Sequence, residues 1–170
     1  ISGAYRLTQA DCVTISTASA LHDVGKTGVD QGILNKPGRL TPEEFEAVKQ
    51  HTVIGEELLR GMREYRGEPL LETAVEICRW HHERYDGGGY PDGLKGDDIP
   101  ISAQVVSLAD VYDALVSRRV YKDAYTPEQA MEMIRDGQCG VFNPVLVQCL
   151  TDIQDALRTE VYAGDGQPAS

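Results

Sequence analysis

The chain is predicted to be all-α, and three observations carry that prediction. Apolar residues recur at three- and four-residue spacing in segment after segment, as one face of a helix requires. Thr-Pro-Glu caps open two of these segments, pairing an N-terminal hydroxyl with a proline at the first helical position. No run alternates convincingly between apolar and polar residues, so strands have little to be built from.

The elements follow in order. Residues from about Thr8 to Asp23 read as a first helix that ends near Gly25. Thr41-Pro42-Glu43-Glu44 reads as a capping box. Behind it Phe45, Val48, His51, Ile54, Leu58 and Leu59 recur at helical spacing, which makes a second helix. A third runs from about Leu70 to His82, with Ala74, Ile77, Cys78 and His81 on one side. The segment from Glu83 to Ile99 holds five glycines and a proline and is expected to be a loop. Pro100 starts a fourth helix that continues to about Ser117. Thr126-Pro127-Glu128-Gln129 starts a fifth, and Asn143-Pro144 a sixth that reaches about Arg158. The tail from Ala163 to Ser170 is small and polar and is expected to be disordered.

With 170 residues the chain can bury one sizeable core but not two. Its 41% hydrophobic and 25% charged residues suit a globular protein. A formal net charge of −11 disfavours polymeric nucleic acid and anionic membrane, which both select a basic field. A small phosphate ligand remains compatible, if a metal or a local basic cluster reverses the field in one pocket. No stretch approaches the roughly 18 apolar residues that span a bilayer, and no signal peptide is visible. The four cysteines, Cys12, Cys78, Cys139 and Cys149, are scattered without a C-x-x-C pair, so reduced and mostly buried thiols in a cytoplasmic protein are expected. The opening residue is Ile1, which leads us to expect a piece of a longer protein.

The chemistry concentrates on the histidines. There are four, His22, His51, His81 and His82, each on or at the end of a helical segment. His22 stands beside Asp23, and imidazole with carboxylate suits Fe, Mn, Zn, Ni or Mg. An aspartate in that place can bridge two metals with its two oxygens while the histidine fills one shell. The absence of a thiolate signature argues against a structural zinc. Each part also has a plainer reading. A single histidine on an amphipathic helix serves as a hydrogen-bonded core residue, and a His pair at a helix C-terminus answers the dipole. Asp110, among Val105, Val106, Leu108, Ala109 and Val111, needs a cation, a cap or a metal as partner. Asp113, one turn on, could orient a neighbour.

Taken together the motifs are far more specific. They are His22-Asp23-Val24-Gly25-Lys26, then His51 with Gly55 four residues on. His81-His82-Glu83-Arg84-Tyr85-Asp86-Gly87-Gly88-Gly89-Tyr90-Pro91 follows. Ala109-Asp110-Val111-Tyr112-Asp113-Ala114-Leu115 comes last, with Arg118-Arg119-Val120-Tyr121-Lys122 behind it. This series resembles the HD-GYP family of the HD phosphohydrolase superfamily, over about Ala20 to Leu150.

The resemblance implies an HD-domain-like helical bundle with a long Gly-rich GYP loop, spanning residues 1–160 and followed by a flexible tail over 161–170. It implies a phosphodiesterase that hydrolyses cyclic di-GMP to linear pGpG, to GMP or to both. Two or three divalent ions are expected, iron first, with manganese or another ion as substitutes. The implied ligands are His22, Asp23, His51, His81, His82 and Asp110, with Asp23 as the bridge. Lys26 would meet a phosphate oxygen, Gly89 and Tyr90 would line the pocket, and Arg119 and Lys122 would hold the second phosphate or a guanine edge. Water activated by the metals would attack phosphorus in line, and the 3′-oxygen would leave. A covalently linked receiver or sensory domain, GGDEF-domain partners and a homodimer are further expectations. Polymeric nucleic acid and membrane are not expected as partners.

One departure stands out. The wider family supplies another His from a helix upstream of the His-Asp pair, and trinuclear members also supply a Glu. Residues 1–21 contain neither, and Asp11 is their only carboxylate. The expectation is a domain cut at its N-terminal edge, because every downstream motif is intact. The competing reading is a degenerate domain that binds nucleotide or a diguanylate cyclase without turnover, and a third is an HD phosphohydrolase for other nucleotides. Asn143, where the family often has Asp, reads as an acceptable helix cap.

Overall fold

The computed structural model describes residues 5–118 and 124–163, the backbone alone over 155–163. Its regular elements among the described residues are helices, and the one bridge-type pairing there is an isolated Gln138–Gly140 contact. The α-helices among these residues are α1 Gln9–Ser19, α2 Gln31–Leu34, α3 Pro42–Lys49, α4 His51–Arg60, α5 Pro69–Trp80, α6 Ile101–Val116, α7 Pro127–Arg135 and α8 Pro144–Ala163. Three 3₁₀ turns, Val24–Gly28, Arg63–Tyr65 and Gly96–Asp98, lie between them.

The caps form as the sequence reads. The Glu44 amide donates to Thr41 Oγ1 at 3.2 Å, and Thr41 N–H donates back to Glu44 Oε2 at 2.7 Å. Thr126 and Gln129 repeat the exchange at the start of α7. Each exchange satisfies helix-terminal amides that have no partner inside the helix. At α8, Asn143 Oδ1 accepts the Val145 amide at 2.9 Å, and its Nδ2 donates to Gln104 Oε1 at 2.8 Å, so the cap also ties α8 to α6.

α6 is the spine of the molecule. Val106 packs with Ile15 and Ala18 of α1, Leu59 of α4 and Ala74, Ile77 and Cys78 of α5. Further along, Leu108, Tyr112 and Leu115 pack with Met131 and Ile134 of α7 and Leu146 of α8. On α5, Leu71, Ala74, Val75 and Cys78 are buried at i, i+3, i+4 and i+7, a single stripe against the core. Each fully buried Leu or Ile contributes about 1.5–3 kcal/mol relative to exposure.

Several expectations need correction. The first helix stops at Ser19, and the chain turns through residues 20–23 into a 3₁₀ turn. The second predicted helix is two, α3 and α4, divided at Gln50. Phe45 and Leu58, which share the helical spacing, are 47% and 48% exposed, while Leu59 is buried. Among the cysteines only Cys78 is buried; Cys12 is exposed, and none of the four is in a disulfide. Residues 164–170 of the expected tail lie outside the described residues. No described helix is long and apolar enough to cross a membrane.

Two glycines permit a close backbone crossing. A methyl group on Gly25 would overlap the carbonyl oxygen of His51 and the backbone of Gly55. One on Gly55 would overlap the sulfur of Cys78. The turn after α1 therefore lies directly on α4, backbone to backbone. Gly25→Ala is expected to destabilise the protein by at least about 1–3 kcal/mol, the range for overpacking. Thermal unfolding followed by circular dichroism checks this, and an unchanged midpoint would contradict the crossing.

Candidate metal centre

The turn after α1 has a chemical purpose. Consecutive helical residues point about 100° apart, so a continued helix could not aim His22 and Asp23 at one place. The turn brings both to one site. α5 ends at Trp80, and His81 and His82 follow the same logic at its C-terminus. His51 stands at the first position of α4, directly after the Gln50 break.

Backbone carbonyls orient the rings. His22 Nδ1 lies 2.8 Å from the Ser19 oxygen, and His51 Nδ1 lies 2.7 Å from the Val48 oxygen. His81 Nδ1 lies 3.0 Å from Ile77 O and 3.1 Å from Cys78 O. A carbonyl only accepts, so Nδ1 carries a proton in each ring; on His51 and His81 this leaves Nε2 with a lone pair, whereas His22 Nε2 faces the Asp23 carboxylate and donates to it when the ring is protonated. These nitrogens converge on Asp23. His22 Nε2 is 3.2 Å from Asp23 Oδ2, while His51 Nε2 and His81 Nε2 are 3.5 and 4.0 Å from Oδ1. His51 and His81 stand 3.5 Å apart, Nε2 to Nε2. The His82 ring is 4.0 Å from that of His81 and 5.1 Å from that of His51. Two ligand-type triads result, His51-His81-His82 and His22-Asp23-His81.

Asp23 Oδ1 is buried and accepts no hydrogen bond. Its neighbours offer it lone pairs, which repel a carboxylate oxygen unless a cation sits between them. The donor set fits a divalent ion. Asp110 completes the edge, with Oδ1 3.9 Å from His22 Nε2. It is not enclosed by its apolar neighbours: its side chain is 38% exposed at the polar end of a cavity of about 510 Å³ between α1 and α6. Asp113 accepts the Ser117 hydroxyl at 3.0 Å. Asp11 is spent on the capping box of Thr8.

Charge in the site is set by burial against pairing. Burial pushes Asp23 up, but hydrogen bonds from His22 and Lys26 outweigh it and hold the carboxyl well below its usual range. The bond to Asp23 raises His22. Burial lowers His51, and takes His81 to about 3 and His82 to about 2, so these rings stay neutral and ligand-competent.

The GYP loop packs onto this centre. A methyl on Gly89 would strike the backbone of Glu83 and Arg84, so Gly89 lets the loop fold back on its own start. Tyr90 then stacks on His82, with centroids 4.8 Å apart and planes at 25°. Lys26 Nζ donates to Asp23 Oδ2 at 2.6 Å. Arg119 and Lys122 lie outside the described residues, and the neighbouring Arg118 is exposed.

Sequence reasoning missed the loop's fastening. Asp92, one residue past the GYP motif, accepts from Arg79 Nε and Nη2 and from Trp80 Nε1, each at 2.7 Å. Arg79 also pairs with Glu56 of α4. Glu83 Oε1 accepts the amides of Asp92 and Gly93 at 2.7 and 3.0 Å. No local pattern marks these pairings, because Arg79 and Asp92 meet only when the loop closes.

The HD domain family profile matches residues 1–144. The chain is 46% identical over 136 residues to a probable cyclic di-GMP phosphodiesterase of Vibrio cholerae, covering 79% of this chain and 31% of that protein. It is 41% identical over 151 residues to 3′3′-cGAMP-specific phosphodiesterase 2 of the same organism, covering 89% and 28%. The chain thus spans under a third of these relatives. A solved HDG"Y"P protein from Bdellovibrio bacteriovorus, Bd1817, superposes with a TM-score of 0.67 at 21% identity, over 91% of this chain and 47% of that one, which is a likeness of fold.

Two outcomes are expected. With His81 and His82 depressed when folded, the unfolded chain binds more protons below pH 6.5, so metal-free protein loses stability as pH falls from about 6.5 toward 3. Urea titrations across that range check it. Asp92→Ala leaves Arg79 and Trp80 without their carboxylate. Trp80 is the chain's one tryptophan, so its emission should shift, with a stability loss of about 1–3 kcal/mol.

Proposed function

Because the chain belongs to the HD domain family, in its HD-GYP branch, we propose that it is a metal-dependent phosphodiesterase that hydrolyses cyclic di-GMP to linear pGpG, GMP or both. The observation that carries this reading is the buried, unbonded Asp23 Oδ1 ringed by imidazole nitrogens, which is a cation site by its chemistry. His22, Asp23, His51, His81, His82 and Asp110 would hold two or three divalent ions, iron first, with Asp23 as the bridge. Ions there would supply Lewis acidity to the phosphoryl oxygens and lower the pKa of water.

The chain's own groups do the rest. Lys26, already beside Asp23, places a positive charge where a non-bridging phosphoryl oxygen would lie. Tyr90 and Gly89 shape the wall over His82. Burial pushes the Tyr90 phenol up to about 12; as a neutral phenol it meets the dianionic substrate without repulsion. Arg119 and Lys122, outside the described residues, are assigned the second phosphate or a guanine edge. Attack in line with the scissile bond expels the 3′-oxygen, and no covalent enzyme intermediate is needed.

We assign residues 1–160 to this one domain and place the reaction in the cytoplasm. The remainder of the full-length protein is assigned to receiver or sensory segments, with GGDEF-domain proteins and a second copy of the chain as partners. No feature of the described residues favours a domain that binds without turnover.

The test is elemental analysis of anaerobically purified protein with cyclic di-GMP hydrolysis. Two or more equivalents of Fe or Mn with turnover are expected, both lost in Asp23→Ala. Lys26→Met should retain metal while kcat falls by about 10²-fold, the cost of one charge-stabilising donor. Less than one equivalent of metal and no turnover would refute the reading.

A further inference from the structure

Phe45 is exposed where helical spacing would turn it inward, and its surroundings are not random. Its ring meets Tyr90 edge-on, with centroids 6.2 Å apart and planes at 82°. Lys49, one turn along α3, places its Nζ 5.5 Å from both ring centroids. Tyr90 continues inward to His82 by stacking. An aromatic path therefore leads from solvent to the metal centre, flanked by one ammonium group.

We propose that Phe45, Tyr90 and Lys49 form the seat for a guanine base of the substrate, a proposal that rests on the phosphodiesterase reading. An exposed aromatic ring beside a phosphate-binding centre offers a stacking surface that every base can use. Lys49 adds selectivity. Guanine presents two adjacent acceptors, O6 and N7, to an ammonium group, whereas adenine presents N7 beside an amino donor. Lys49, its side chain 22% exposed, is held by Glu46 at 2.6 Å; Glu46 is 66% exposed, so this pair is solvated on its carboxylate side and weak enough to share the ammonium with a ligand.

The seat is tied to the centre on both sides. α3 ends at Lys49, and the single turn residue Gln50 separates it from His51. The Tyr90 amide donates to the His82 carbonyl at 3.3 Å. A base on this seat and a phosphate at the centre would be spaced by the protein, not by the ligand, which lowers the ordering cost of binding.

The test is calorimetric titration of the whole metal-loaded chain with cyclic di-GMP and with cyclic di-AMP. The wild type should prefer cyclic di-GMP. Phe45→Ala should weaken cyclic di-GMP binding by about 10-fold, and Phe45→Trp should restore it. Lys49→Met should narrow the preference for guanine while metal content stays at the wild-type level. Wild-type affinity in Phe45→Ala, with or without a lowered thermal midpoint, would overturn the seat and leave Phe45 a packing residue. So would a wild type that binds neither dinucleotide. Hydrolysis of bis(p-nitrophenyl) phosphate by the wild type reads the phosphodiesterase activity separately. Turnover there with Phe45-independent binding sinks the seat alone, and Phe45-dependent binding without turnover sinks the hydrolase alone.

Discussion

Asp23 Oδ1 lies within 4.0 Å of ring nitrogens from the start of α4 and the end of α5, in a place where nothing donates to it. An anion buried among lone pairs is a costly arrangement, and the fold is organised so that it nevertheless forms. Two glycines bring the turn after α1 against α4. Three sets of backbone carbonyls hold the rings by Nδ1. Arg79 and Asp92 bring the GYP loop over the top. Each device constrains an Nε2 or a carboxylate, and the cost falls away once a cation takes the middle position.

Placing the groups at helix ends is what makes the centre compact. A helix interior would contribute side chains one turn apart, about 5–6 Å between Cβ atoms. A helix end contributes neighbours, as His22 with Asp23 and His81 with His82. It also supplies last-turn carbonyls within reach of the rings, and these accept from Nδ1 even where, as at Ser19 and Ile77, they also accept a backbone amide.

Much of this was legible in the residues. The helix starts were, because Thr41, Thr126 and Asn143 satisfy terminal amides by local chemistry, and local chemistry is written locally. The metal-ligand candidates were too, because histidine is scarce here and its pattern is specific. The break at Gln50 was not, since nothing in its composition distinguishes it from a helix interior and tertiary packing decides it. The outward turn of Phe45 escaped for a related reason. Period 3.6 records which residues share a face and is silent about which face meets solvent. The Arg79–Asp92 pairing required the closed loop, and Asp110 among its apolar neighbours gave no hint of its 38% exposure.

The groups of the centre are spread from residue 22 to residue 110, in the turns after α1 and α5, at the start of α4 and within α6. An ion held by all of them would close that stretch into a ring, as a disulfide closes the chain between two cysteines, and would act largely by removing freedom from the unfolded state. Because only the native chain gathers these groups, ion concentration would enter the folding equilibrium directly, by mass action. In a cell the abundance of the metal would then set how much of this domain exists in folded form, and not only how fast it works.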